Sequence, residues 1–237
     1  MLLRNNEFHS IKMTPKQIRL GAVKVVAATD IQARIAAARL LPVVVLERAD
    51  DAVPLAEALL KGGLTVAEVT FRTPAAAEAI ARMRKDVPDM LVGAGTVLTQ
   101  EQLADAGAAG AQFIVTPGFN PAIVEAAQSA GLLIVPGVNN PTGVEQAMAY
   151  GLETVKFFPA EPSGGIPFIK ALTGPYPGMR FVPTGGVGPA NLASYLAVPA
   201  VLACGGSWMV DAKLIRDGNF EEISRLTEDA VALARKG

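Results

Sequence analysis

Short apolar runs rich in β-branched residues alternate along the chain with alanine-rich stretches that stop at glycine. Four copies are plain. Lys61-Gly62-Gly63 precedes Val66-Ala67-Glu68-Val69-Thr70-Phe71, and Gly110 precedes Gln112-Phe113-Ile114-Val115-Thr116. Gly131 precedes Leu132-Leu133-Ile134-Val135, and Gly151 precedes Thr154-Val155-Lys156-Phe157-Phe158. Glycine just past a helix takes up the left-handed conformation that turns the chain back into a strand. Similar runs at 43–46, 91–94, 180–184 and 201–205 make eight predicted strands. Their ends recur every ~20–26 residues, the length of one strand–helix unit. Strands this apolar on both faces belong to a parallel sheet covered by helices. Eight successive units predict the α/β class and a closed (β/α)8 TIM barrel. An open doubly wound sheet is the competitor, disfavoured because no Gly-x-Gly-x-x-Gly fingerprint opens the first unit.

No linker interrupts residues 30–237, so a single barrel domain is expected over residues 29–237. Residues 1–28 stand apart as an N-terminal helical extension, where Arg4, Lys12, Lys16, Arg19 and Lys24 face one acid, Glu7. Within it Thr14-Pro15-Lys16-Gln17 reads as a capping box that starts a short helix. His9 is expected to be an exposed bystander.

Charge narrows the partners. With 21 basic and 22 acidic residues and no cationic run, neither nucleic acid nor an anionic membrane surface is an expected partner. The one cysteine, Cys204, excludes an intrachain disulfide, and the one histidine excludes a His-ligated zinc and an imidazole base. Residues 181–210 carry no charge, but Pro183, Gly185, Gly186, Gly188, Pro189 and Pro199 break them too often for a spanning helix. A cytoplasmic location is the expectation.

Chemistry is sought where polar residues interrupt apolar strands, toward the C-terminal ends. Glu68, Thr70 and Arg72 share one strand face by period two. Lys156 sits between Val155 and Phe157, and Phe158-Pro159-Ala160-Glu161 closes that strand. Gly93-Ala94-Gly95-Thr96 ends another strand on a hydroxyl where glycines allow close approach. A lysine amine set among aromatics is expected to serve as the nucleophile that Schiff-base chemistry on a carbonyl requires. Glu68 then supplies the acid/base group that histidine does not, and Arg72 offers a fork for a carboxylate. The competing reading is a buried structural ion pair.

Two glycine clusters follow the last two predicted strands: Pro183-Thr184-Gly185-Gly186-Val187 and Gly205-Gly206-Ser207-Trp208. Backbone N–H groups at such positions bind phosphate without lysines, which accounts for the uncharged stretch. Trp208 and Cys204 are read as packing residues.

These segments, with Leu64-Thr65-Val66-Ala67-Glu68-Val69-Thr70-Phe71-Arg72-Thr73 and Val92-Gly93-Ala94-Gly95-Thr96-Val97-Leu98, resemble the 2-keto-3-deoxy-6-phosphogluconate (KDPG) aldolase family, class I pyruvate-dependent lyases, from about Asp30 to Lys236. The resemblance implies a barrel, a homotrimer, a keto-acid phosphate substrate, and no metal or organic cofactor. It implies Lys156 as the Schiff-base lysine, Glu68 as the general acid/base, and Arg72 with Thr96 as the carboxylate contacts. Gly185, Gly186 and Ser207 would hold the phosphate, with Pro117, Phe158 and Thr184 lining the pocket. The rival expectations are an idle scaffold or assembly subunit, and another phosphate-binding barrel such as an epimerase or thiamine-phosphate synthase.

Overall fold

The structure, a computed structural model, describes residues 28–236. Nine strands run β1 (Leu40–Val44), β2 (Val66–Thr70), β3 (Leu91–Gly95), β4 (Phe113–Val115), β5 (Leu133–Val135), β6 (Gly137–Val138), β7 (Thr154–Phe157), β8 (Arg180–Pro183) and β9 (Cys204–Gly206). Ten α-helices are interleaved: α1 (Ala28–Ala38), α2 (Ala52–Lys61), α3 (Ala76–Asp86), α4 (Gln100–Ala108), α5 (Pro121–Ser129), α6 (Pro141–Ala149), α7 (Gly165–Thr173), α8 (Leu192–Leu196), α9 (Ala212–Arg216) and α10 (Phe220–Ala234). The predicted extension over residues 1–28, with His9 and the capping box, lies outside the described residues except for Ala28, where α1 begins.

The glycine stops are where the repeat places them. Gly63, Gly110, Gly131 and Gly151 all have φ between +69° and +91°. In each case the next residue donates back across the turn: Leu64 to the Leu59 carbonyl, Ala111 to Ala106, Leu132 to Ala127 and Leu152 to Ala147, at 2.9–3.0 Å. This is the Schellman closure of a helix C-terminus, and it satisfies carbonyls that the helix leaves unpaired. At the other ends Thr99, Asn120, Asn140 and Asn219 accept hydrogen bonds from the first turns of α4, α5, α6 and α10. Each such cap stabilises its helix by about 1 kcal/mol.

The strands do not form the closed eight-stranded barrel that the repeat predicts. They form two parallel sheets, one of six strands in the order β5-β4-β3-β2-β1-β9 and one of three in the order β6-β7-β8. The fifth predicted strand, 132–135, is observed as β5 and is followed past Pro136 by an unpredicted strand, β6, so that β5 pairs with β4 and β6 with β7. Proline has no N–H to donate to a ladder. At the other seam two isolated bridges, Phe181–Val201 and Thr184–Gly205, stand in place of a ladder between β8 and β9. Periodicity counts units but carries no information on whether each neighbouring pair of strands hydrogen-bonds.

Two clusters hold the layers together. The larger packs helices on strands and includes Val44, Leu55, Ile80, Val92, Ile114 and Phe157. Burying each such side chain contributes roughly 1.5–3 kcal/mol. The smaller gathers Ile31 and Ile35 of α1 with Leu41, Val66, Leu91, Phe113 and Val182 near the strand starts. Gln32 adds a 2.8 Å hydrogen bond to the Thr154 hydroxyl at the start of β7. Period two then carries Glu68 one layer beyond Val66 and Lys156 one layer beyond Thr154, toward the C-terminal ends.

Candidate active site

Lys156 and Glu68 are brought together from β7 and β2. The lysine Nζ lies 3.3 Å from Glu68 Oε1, with both side chains at most 5% exposed. The same Nζ is 5.3 Å from the centre of the Phe158 ring. Glu68 Oε2 is buried with no hydrogen-bond partner among the described residues. A buried ion pair with an unsatisfied oxygen gives little net stability, because desolvation offsets its attraction. Its local support comes from glycine. A Cβ on Gly95 of β3 would lie 2.1 Å from Glu68 Oε1, so the carboxylate occupies space that any other residue would fill.

A cleft of about 360 Å³ adjoins the pair at Phe158, although neither Lys156 nor Glu68 is among the residues that line it. Arg72, Phe158, Thr184, Gly185, Gly186 and Ser207, all read from the sequence, line it. Arg72 is exposed and makes no side-chain hydrogen bond or ion pair among the described residues, so its guanidinium is available to a ligand. Thr70, on the same strand face, donates instead to the Val44 carbonyl at 2.8 Å and ties β2 to β1. Gly185 and Gly186 have φ of +95° and +85°. A groove of about 500 Å³ along α2 and α10 is larger, but it contains none of the candidate residues.

Thr96 and Pro117 do not line the cleft. Thr96 follows β3 at φ +54°, an unfavourable conformation for a β-branched residue that costs about 1–3 kcal/mol. Pro117 touches the site through the backbone: a Cβ on Gly137 would lie 2.1 Å from its carbonyl oxygen, and Gly137 is the ladder partner of Lys156.

Cys204 and Trp208 take the packing roles expected of them. Cys204 is fully buried, and burial pushes its thiol up to about 12. Trp208 lies across Gly206, where a Cβ would come within 1.9 Å of its ring. Sequence reasoning missed Asn191 and Tyr195. Asn191 bonds the Gly186 carbonyl and the Gly188 N–H, and buried Tyr195 donates to Glu161. Burial, then that hydrogen bond, raises the tyrosine's pKa. A lone amide inside the uncharged stretch was the only signal of the first.

The family model described as KDPG and KHG aldolase matches residues 31–226. The chain belongs to that family. A 2-dehydro-3-deoxy-phosphogluconate aldolase of Haemophilus influenzae is 51% identical over 197 residues, 83% of this chain and 93% of the relative. One from Treponema pallidum is 53% identical over 195 residues, 82% and 93% of the two chains. Among solved structures, a KDPG aldolase from Legionella pneumophila, with pyruvate captured at low pH as a covalent carbinolamine intermediate, superposes with a TM-score of 0.81 at 41% identity, covering 84% of this chain and 96% of that one. Membership of the KDPG and KHG aldolase family displaces the epimerase-like and thiamine-phosphate-synthase-like readings. No helix among the described residues is long and apolar enough to cross a membrane.

Proposed function

We propose that the chain is a class I aldolase that cleaves 2-keto-3-deoxy-6-phosphogluconate to pyruvate and glyceraldehyde 3-phosphate, with 4-hydroxy-2-oxoglutarate, cleaved to pyruvate and glyoxylate, as a second substrate. The observation that carries this reading is the buried Lys156–Glu68 pair at 3.3 Å, with Lys156 against the Phe158 ring that lines a cleft containing Gly185 and Gly186. An amine nucleophile with its proton acceptor beside it is what carbinolamine formation needs.

In this reading Lys156 Nζ gives a proton to Glu68 and adds to the C2 ketone of the substrate. Glu68 returns that proton to the carbinolamine hydroxyl, which departs as water and leaves an iminium. The C3–C4 bonding pair flows into that iminium while the C4 hydroxyl proton passes to Glu68, and glyceraldehyde 3-phosphate departs. Glu68 returns a proton to C3 of the enamine, and hydrolysis of the resulting iminium releases pyruvate and restores Lys156. Arg72 and Thr96 hold the carboxylate, and Pro117, Phe158 and Thr184 wall the pocket. Gly185, Gly186 and Ser207 bind the phosphate through N–H groups and a hydroxyl. No organic cofactor takes part, because the iminium itself is the electron sink. The working assembly is a homotrimer.

Intact-mass analysis after pyruvate and borohydride, followed by peptide mapping, tests the reading. A reduced pyruvate adduct on Lys156 is expected, and Lys156→Ala should lose both the adduct and turnover. An adduct at another lysine, or substantial turnover by Lys156→Ala, would end the assignment.

A further inference from the structure

The Gly185-Gly186 loop is held from behind. Glu161 N–H donates to the Gly185 carbonyl at 3.0 Å, and Asn191 Nδ2 donates to the Gly186 carbonyl at 3.0 Å. In a planar trans peptide the C=O and the next N–H point in opposite directions. Fixing those two carbonyls therefore aims the N–H groups of Gly186 and Val187 the other way. Neither N–H donates to a protein acceptor among the described residues, and both residues line the cleft.

Each holding contact is itself locked. Asn191 Oδ1 accepts from Gly188 N–H at 2.8 Å, so its amide bridges the loop from both ends. Glu161 is gripped by the hydroxyl of Tyr195, whose side chain is fully buried on α8. A Cβ on Gly186 would lie 2.5 Å from Glu161 Cγ, so the two segments are in contact. The tyrosine also draws the Glu161 carboxylate toward α8, which matters because a free carboxylate beside the glycines would compete for the same N–H groups.

We propose that Asn191 and the Tyr195–Glu161 pair are positioning residues for phosphate recognition: they preset the Gly186 and Val187 N–H groups before the substrate arrives. The inference rests on the proposed aldolase reading and extends it to residues that touch no substrate. Preorganised donors bind an anion without a reorganisation cost, so their loss should appear in affinity rather than in the chemical step.

The test compares Asn191→Ala and Tyr195→Phe with the parent enzyme. It uses three readouts: KM for the phosphorylated keto acid, competitive inhibition by inorganic phosphate, and the rate of borohydride trapping with pyruvate. Asn191→Ala should raise that KM and the phosphate inhibition constant by about 10-fold, and Tyr195→Phe by about threefold, while the trapping rate stays within about twofold. Loss of all three readouts by one common factor, or no change in KM, overturns the proposal. Should Asn191→Ala fail to fold, Tyr195→Phe, which keeps its ring in the core, decides alone. A parent enzyme that traps no pyruvate on Lys156 would instead refute the aldolase reading.

Discussion

Gly95 decides where Glu68 can lie. Its missing side chain leaves room for the carboxylate between β2 and β3, and a Cβ there would approach Oε1 to 2.1 Å and Cγ to 2.5 Å. The carboxylate cannot swing aside into solvent, because Glu68 is fully buried. Gly95→Ala should therefore displace the acid/base group from Lys156 and lower kcat by about 100-fold, since misplacement by about 1 Å carries that cost. Steady-state kinetics beside a thermal melt checks it, and parental kcat in a folded variant would show that Glu68 tolerates displacement. At this scale the candidate pair was legible in the sequence, because a lysine and a glutamate inside apolar strands are conspicuous. Asn191 and Tyr195 were not legible: Asn191 bonds backbone groups and Tyr195 a carboxylate 34 residues away, and neither partner leaves a periodicity in the sequence.

Elements were legible as far as their local physics reached. The four glycine stops fall at residues 63, 110, 131 and 151 because the left-handed turn is a property of a few consecutive residues. Strand bounds shift where partners decide them. The first predicted strand, at 43–46, is observed as Leu40–Val44, and the last, at 201–205, as Cys204–Gly206, because those two strands pair with each other. That pairing sets Leu40 against Cys204 at the edge of the six-stranded sheet. Burial holds the Cys204 thiol near 12, so its thiolate fraction at neutral pH is about 10⁻⁵. Iodoacetamide should leave the native protein unlabelled and add one group after denaturation, as read by intact mass. Stoichiometric labelling of protein with an unchanged circular dichroism spectrum would mean that the β1–β9 edge opens readily.

For the whole molecule, the homotrimer is the proposal that most needs measurement. Among the described residues, Leu98 and Met148 are the strongly exposed large hydrophobic residues, at 52% and 51%. Multi-angle light scattering should give about three times the chain mass at assay concentration, and a monomer that turns over at full rate would remove assembly from the mechanism. The sequence by itself determined the strand–helix alternation and the glycine turns within it, and it singled out the lysine, glutamate and glycines to which the proposed chemistry is assigned. All of these are written in spacings of a few residues and in side-chain type. Only the tertiary structure decided that the strands divide into sheets of six and three at Pro136, that Lys156 meets Glu68 across 88 residues of chain, and that Asn191 reaches back to Gly186. Such pairings depend on which backbone groups find partners after collapse, and no local pattern encodes that choice.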